Sequence, residues 1–383
     1  MNYQQSKKAQ FLLQSEIRNM SIECDDVNGI NLAQGICDLP LEKVLSDKAR
    51  EAMEAGENHY TRYDGIDILR EEIAKKARDF NRINAAPHNI VVSGGATGAL
   101  YSACFALFNP GDEIILFEPY YGYHEYTLMS LDLVPVYAAL TPPDWKFNID
   151  ELQNLVTKKT KAILICTPSN PTGKIFSAEE LDMLGDFCVK NNLIALTDEI
   201  YEYITFDGLQ HISPASREKF NGRVVTVSGY SKTFSITGWR LGYCIADDEI
   251  VKWIGNASDL IYVCAPAPLQ YGVACAIRDI PQSFYTSLKE QYQRKRDILC
   301  STLSGLGLTP YIPKGAYYIL ADISSVPGKN GKDRAMYILA KTGVGVVPGE
   351  AFLRSGGGGI ARFCFAKDYS VIEQACERLL KLK

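Results

Sequence analysis

The sequence predicts an α/β fold, a mainly parallel sheet covered by helices on both faces, followed by a smaller α+β part. Three observations predict it. Short, continuous apolar runs such as "AILIC" alternate with helical patterns through the middle of the chain, as strands buried on both faces do. Each run ends in glycine or in small and polar residues, where such sheets place their sites. From about residue 280 the alternation gives way to one long helical pattern, a strand and a closing helix.

Taken in order, "NIVVSGG" (89–95) reads as a strand ending in glycines, and "ATGALYSACFALF" (96–108) as a helix with apolar residues at helical spacing. "DEIILFEP" (112–119) and "KAILICTP" (161–168) are further strands. "SAEELDMLGDFCVKNN" (177–192) is a helix opened by a capping box of Ser177 and Glu180. "LIALTDE" (193–199), "VVTVSGYS" (224–231) and "LGYCIA" (241–246) complete the strands read from the pattern. Beyond them, 283–307 is a long helix stopped by glycine, "GAYYILADI" (315–323) a strand, and "VIEQACERLLKLK" (371–383) a helix. The expected division is a large part over 41–280 and a small one formed by 1–40 with 281–383. The charged cluster "EQYQRKR" (290–296) reads as a solvated helix face, and "SGGGG" (355–359) as a flexible loop.

Composition removes several classes. At 383 residues and 46% hydrophobic, the chain is long enough for a large core. Its net charge of −5 is not the basic footprint of a nucleic-acid binder. The eleven cysteines are odd in number, form no CxxC pair and sit mostly in apolar runs, as free thiols in a reducing compartment do. With four histidines and no HxxxH or CxxC spacing, no metal site is expected. No signal peptide is recognised in "MNYQQSKKAQFLLQSEIRNM", nor any membrane span. A soluble, cytoplasmic protein is the expectation.

The chemistry gathers at four strand ends. Gly94-Gly95-Ala96-Thr97 opens a helix and suits an anion. Ser169-Asn170-Pro171-Thr172-Gly173 supplies an amide, Asp198-Glu199-Ile200-Tyr201 a carboxylate and a phenol, and Lys232 an amine in "SGYSKTFSITGWRLGY" (228–243). Each alone is ordinary: a glycine turn, a polar turn, a loop "DE" pair, a surface lysine. Together they suit pyridoxal 5′-phosphate. Its aldehyde takes a lysine amine, its ring nitrogen a carboxylate, its phenolic oxygen hydrogen-bond donors, and its phosphate a backbone cradle with an arginine, here Arg240. Burial and a neighbouring cation would lower the lysine's pKa and make it a nucleophile.

At this point the sequence resembles the class I/II aminotransferases of fold type I, near bacterial aspartate, aromatic, alanine and kynurenine aminotransferases. The resemblance runs from "INLAQG" (30–35) to "ARFCFA" (361–366) and is most specific in S-K-T-F-x-x-T-G-W-R-L-G-Y at 231–243. It implies a seven-stranded, mainly parallel sheet and a homodimer with sites at the subunit interface. It implies that Lys232 binds the cofactor and moves a proton between the substrate Cα and the cofactor, and that Asp198 pairs with the ring nitrogen. Asn170 and Tyr201 would bond the phenolic oxygen, and Tyr121 would stack on the ring. Gly95, Ala96, Thr97 and Arg240 would hold the phosphate, and Tyr60 would reach that of the neighbouring subunit. Arg362, with Gly35 close by, would bind the substrate α-carboxylate.

Two positions depart from the family. Gly229 stands where many members have a phosphate-binding serine, leaving Ser231 or a backbone amide for that contact. Cys37 stands where many have proline. For side-chain preference, Thr97 replaces a lysine that some aspartate-using relatives carry, Arg62 is a candidate distal cation from a partner subunit, and Tyr63, Tyr121 and Tyr123 are candidate walls of an aromatic or apolar pocket. Transfer from an aromatic, neutral or broad range of amino acids to 2-oxoglutarate by a ping-pong scheme is expected. The alternatives are a carbon–sulfur β-lyase, which would share Lys232, Asp198 and Arg240, and a non-enzymatic sensing module, for which the helix-turn-helix addition is missing. A dinucleotide-binding dehydrogenase is disfavoured because "GGATGA" lacks the G-x-G-x-x-G spacing.

Overall fold

The computed structural model describes residues 4–6, 8–10 and 14–383. Parts of the amino-terminal stretch read above for a leader, and assigned to the small part, therefore lie outside the described residues.

Seven strands form the central sheet: β1 (Ile90–Gly94), β2 (Glu113–Glu118), β3 (Val134–Ala139), β4 (Thr160–Cys166), β5 (Ile194–Asp198), β6 (Val224–Gly229) and β7 (Leu241–Ile245). Their order is β1-β7-β6-β5-β4-β2-β3. β7 runs antiparallel to both its neighbours, and every other pair is parallel. Alternate residues serve opposite faces: Ile114, Leu116, Leu164 and Leu196 join one buried cluster, Ile115, Phe117, Ile163 and Ile165 the other. Burial on both faces is why these strands read as unbroken apolar runs.

Six of the seven strands fall where the pattern places them. β3 does not announce itself. It is the edge strand, with Pro135 inside it and Val134 exposed. An edge position is where a strand tolerates proline and loses its apolar signal.

The pairing of β4, β5 and β6 sets up the site. Cys166 lies opposite Asp198, and Asp198 opposite Val227. The loops carrying Asn170, Tyr201 and Lys232 therefore leave the sheet side by side at its carboxyl edge. The Gly95–Leu107 helix starts directly after β1, and β7 brings Gly242 against its first residues. A Cβ on Gly242 would lie 2.3 Å from Ala96 N, so that approach requires glycine.

The carboxyl-terminal part holds β8 (Thr309–Tyr311), β9 (Tyr318–Asp322), β10 (Val347–Pro348) and β11 (Ile360–Cys364) in the antiparallel order β10-β11-β9-β8. Helices Gln282–Gly305, Gly331–Thr342 and Tyr369–Leu379 accompany it. Ile30–Asn31 pairs in parallel with Val344–Gly345, and Leu32 O accepts from Cys364 N at 2.8 Å. These bonds carry residues 33–36 to the mouth of the central sheet.

Two expectations need correction. The "EQYQRKR" cluster is not all solvated: Lys295 and Arg296 are buried. They fall on the same stripe as Leu288, Tyr292, Leu299 and Leu303, and Arg296 is neutralised by a fork onto Asp207 at 2.7 and 2.8 Å. Nor is "SGGGG" an open loop. Gly357–Gly359 is a single 3-10 turn packed on Gly349–Ala351, and a Cβ on Gly357 would lie 2.6 Å from Glu350 N. Gly357 and Gly359 serve close packing, whereas Gly356 has a positive φ of +75°. The capping box of Ser177 and Glu180 is present, and all eleven cysteines are free thiols.

Candidate active site

A cavity of about 510 Å³ opens at the carboxyl edge of the sheet, closed above by residues 34–36 and β11. That volume suits a small cofactor with a substrate. Of the expected site residues, the structure brings Gly35, Ala96, Thr97, Tyr121, Asn170, Asp198, Tyr201, Ser231, Lys232, Arg240 and Arg362 to its wall. Gly95 sits directly behind Arg240. Tyr60 is not at this wall. It lies in a loop, 82% exposed.

Lys232 follows β6 in a tight turn. Its Nζ donates to Gly35 O at 3.2 Å and lies 5.8 Å from the Tyr317 ring centre. Burial lowers its pKa below the ordinary lysine value. Cys37, Cys364 and Asp198 oppose that, and the Arg240 charge adds to it. A lysine held this way carries a neutral amine at lower pH than a surface lysine does.

Asp198 ends β5. Its Oδ1 accepts from Ile200 N at 3.2 Å, and its Oδ2 lies 2.8 Å from His124 Nε2. His124 was not singled out from the sequence. It is buried, stands edge-on to Tyr121 with ring centres 5.3 Å apart, and sits in the first turn of the Gly122–Ser130 helix. Its place three residues after Tyr121, on one helix face, was the available signal.

Tyr201 and Tyr318 share a hydrogen bond between their hydroxyls at 3.1 Å. Burial pushes both phenols well above the usual tyrosine range, which keeps them protonated. Tyr318 is a second residue the motifs missed, and it explains Gly35: a Cβ there would lie 1.9 Å from Tyr318 Oη. Gly35 O also accepts from Tyr317 Oη at 3.1 Å.

Arg362 is buried on β11. Its Nη1 donates to Asn170 Oδ1 at 2.8 Å and its Nη2 to Ala33 O at 2.6 Å, while Nε has no partner. The guanidinium stacks over Tyr318 and Phe352 at 4.1 and 4.7 Å. With no carboxylate beside it, this buried cation is built to meet an anion.

The phosphate end is equally specific. Gly95 has φ +82°, and a Cβ on it would lie 2.5 Å from Arg240 Nη2. Arg240 itself has φ +54°, a backbone conformation that a non-glycine residue adopts at some energetic cost. It donates to Thr237 O at 2.9 Å and to Gly94 O at 3.4 Å. The free N–H groups of the first turn after Gly95 face the same place. Gly229 cannot be a serine here, because a Cβ would lie 2.9 Å from Gly242 Cα and from Leu241 O. Ser231 and Thr237 line the cavity instead.

This set fits pyridoxal phosphate: an amine of lowered pKa, a carboxylate held in place by a histidine, protonated phenols, and an arginine over a glycine cradle that a Cβ would fill.

Two side-chain candidates are placed elsewhere. Arg62 forks onto Asp64 at 2.8 and 2.7 Å, because that carboxylate lies two residues on. Tyr63 packs against Gly255, where a Cβ would lie 2.5 Å from its ring, and does not wall the cavity. Tyr121 and Tyr123 do. Glu199, Glu202 and His211 offer ligand atoms within 4.8 Å of one another, a composition compatible with a metal. Their carboxylate oxygens are already engaged, by His211, Ser213, Thr197, Asn81, Ser228 and Lys76.

Comparison with known proteins extends these observations. The family described as aminotransferase class I and II matches residues 27–379. The chain is similar to a kynurenine–oxoglutarate transaminase of Dictyostelium discoideum, at 33% identity over 93% of this chain and 91% of the relative. It is similar to an aspartate aminotransferase of Pyrococcus abyssi, at 33% identity over 96% and 95%. Among solved structures, N-succinyldiaminopimelate aminotransferase from Mycobacterium tuberculosis superposes with a TM-score of 0.95 at 28% identity, over 99% of this chain and 100% of that one.

Proposed function

We propose, since this chain belongs to the class I and II aminotransferases and is a pyridoxal-phosphate-dependent transaminase of fold type I, that it moves the amino group of an aromatic, neutral or broad range of L-amino acids to a 2-oxo acid such as 2-oxoglutarate. The reaction would run in two halves, the amino group staying on the enzyme between them. The observation that carries this reading is the pairing of two cations on one short segment. Lys232 Nζ is bonded to Gly35 O and Arg362 Nη2 to Ala33 O. A carboxylate bound by Arg362 would place its α-carbon near the lysine amine.

Bound pyridoxal phosphate supplies the electron sink that lets a proton leave the substrate Cα. The chain's residues do the rest. Lys232 would hold the cofactor and, once released by the incoming amino group, take the Cα proton at Nζ; its lowered pKa suits a base. Asp198, kept in place by His124, would pair with the ring nitrogen. Asn170 and Tyr201 would donate to the phenolic oxygen, and Tyr121 would cover the ring. Gly95, Ala96, Thr97, Ser231 and Arg240 would hold the phosphate. Arg362 would bind the α-carboxylate in a two-pronged fork beside Gly35. Tyr121, Tyr123, Leu100 and Ile36 give the cavity apolar walls, which supports neutral and aromatic side chains.

The exposed Tyr60 belongs to this reading as a residue that reaches the phosphate of a second subunit, which makes the working unit a homodimer. The exposed Leu260, at 76%, with Ile261, Val263 and Trp253, supports a covered surface. Residues 41–280 would form the cofactor-binding body and 1–40 with 281–383 the smaller one. The pairing of Ile30–Asn31 with Val344–Gly345 supports that grouping. Eleven free cysteines support a reducing, cytoplasmic setting.

An absorbance spectrum of the purified holoenzyme, before and after single amino acids without any oxo acid, tests the reading. A yellow band that converts to the near-ultraviolet band of the aminated cofactor is expected, fastest with the preferred donor. A band that persists while pyruvate is released would instead mean β-elimination and would reject transfer.

A further inference from the structure

The cavity wall carries four cations and one carboxylate: Arg18, Lys232, Arg240, Arg362 and Asp198. In the function proposed above, Lys232 takes the cofactor, Arg240 its phosphate, Asp198 its ring nitrogen and Arg362 the substrate α-carboxylate. Arg18 is left over. Among the described residues its guanidinium makes no salt bridge and no hydrogen bond, and the residue is exposed. Its backbone is firmly placed. Arg18 lies in the first turn of the Glu16–Asp26 helix, where its N–H donates to the capping Ser15 Oγ at 3.3 Å. That helix is anchored through buried Met20 and Cys24 and by Lys332 on Glu16 at 2.9 Å. The helix thus places Arg18, with Ser15 and Ile17, on the cavity wall, exposed where Arg362 is buried.

We infer that Arg18 is a specificity-determining residue that binds the distal carboxylate of an acidic substrate, an α-amino dicarboxylic acid or its 2-oxo acid. The inference rests on the transaminase reading and assigns the second cation that a dicarboxylate needs. Within its own chain Arg62 is forked onto Asp64, and Thr97 carries no charge. An exposed arginine also accounts for breadth. When a neutral or aromatic side chain occupies the cavity, Arg18 stays hydrated and no buried charge is stranded. A buried arginine in the same role would reject those substrates.

The test uses the holoenzyme and its Arg18→Gln and Arg18→Lys variants. Calorimetry compares succinate, a non-reacting dicarboxylate, with butyrate, its monocarboxylate counterpart. Single-turnover absorbance compares glutamate with phenylalanine. Arg18→Gln should weaken succinate about tenfold while leaving butyrate within about twofold, the size of one exposed charge-assisted contact. Glutamate should lose a similar factor and phenylalanine little. Arg18→Lys should recover part of the succinate affinity, and added salt should erode the wild-type preference for succinate. Equal losses for succinate and butyrate, or an unchanged succinate-to-butyrate ratio in Arg18→Gln, would overturn the role of Arg18. Failure of every amino acid to convert the wild-type cofactor band would instead defeat the transaminase reading, and calorimetry would still report on Arg18.

Discussion

Asp198 and Glu199 are consecutive, yet they belong to two different kinds of buried cluster. Asp198 faces the cavity. There Lys232 and Arg362 have no carboxylate of their own, and Arg362 Nε has no partner at all. Glu199 faces the other way, into a closed network. Its Oε1 accepts from Thr197 and Ser213 at 2.6 and 2.9 Å, and its Oε2 meets His211 at 2.7 Å. Glu202 beside it is bonded to Lys76 at 2.5 Å, to Asn81 at 2.7 Å and to Ser228 at 2.9 Å. Burial alone would raise the Glu202 pKa, but the Lys76 charge, His211 and the hydrogen bonds from Lys76 and Asn81 lower it below the ordinary carboxylate value. The open cluster keeps charges without partners, and the closed one has matched them. The difference teaches where chemistry is to be sought, since unmatched buried charge persists only where a ligand will meet it.

The largest expected effect is on the open side. Lys232→Ala removes the amine, and transamination should fall by at least about 10⁴-fold. The protein should still fold and retain pyridoxal phosphate non-covalently through Arg240 and the helix start, seen as bound cofactor without the yellow band. Near wild-type turnover would end the distinction drawn between the two clusters.

Next comes the closed side. Lys76→Met strands Glu202 as a buried charge and should lower unfolding stability by about 3–5 kcal/mol, read by denaturant titration. Turnover per folded, loaded enzyme should stay within about twofold. If turnover instead collapsed while stability held, the Glu202 network would be part of the chemistry.

Arg362→Lys probes the open side more finely, because it keeps the charge and removes the fork. Nη1 on Asn170 and Nη2 on Ala33 are separate donors, and one ammonium does not reproduce both. A fall of about 10–100-fold in kcat/KM for all α-amino acids is expected, carried mainly by KM. A loss confined to one substrate class would move Arg362 from the α-carboxylate to the side chain.

The same contrast explains what was legible in the sequence. Strand ends in a parallel sheet announce themselves through small and polar residues after apolar runs, so Asn170, Asp198, Lys232 and the Gly94–Gly95 turn were readable, and the S-K-T-F-x-x-T-G-W-R-L-G-Y stretch added the family. Tyr318 was not readable, since its contact with Tyr201 and Gly35 arises from packing between segments far apart in the chain. His124 carried only a weak local mark, its place three residues after Tyr121, and its bond to Asp198 spans the fold. β3 was lost to Pro135 and to its exposed edge. Lys295 and Arg296 misled because charge usually means solvent, whereas here Asp207 neutralises the buried arginine across the fold. Arg62 forks onto Asp64, two residues on, within its own chain.

The smallest effect separates the clusters by titration. Burial, with Arg240, lowers the Lys232 pKa from 10.5, while Cys37, Cys364 and Asp198 raise it. Only the neutral amine attacks an aldehyde. In the cofactor-free protein the rate of pyridoxal phosphate capture should therefore rise with pH and level off below the ordinary lysine value. Arg240→Gln removes a lowering charge and should move that midpoint up. Asp198→Asn removes a raising charge and should move it down. Both shifts are read as midpoints, independent of how tightly the cofactor is finally held. Glu202→Gln, where it folds, should leave the midpoint in place, because that carboxylate spends its charge on Lys76. A midpoint that follows Glu202 and ignores Arg240 would mean that the closed network sets the reactivity of Lys232, and that the boundary between Asp198 and Glu199 is not where matched charge ends.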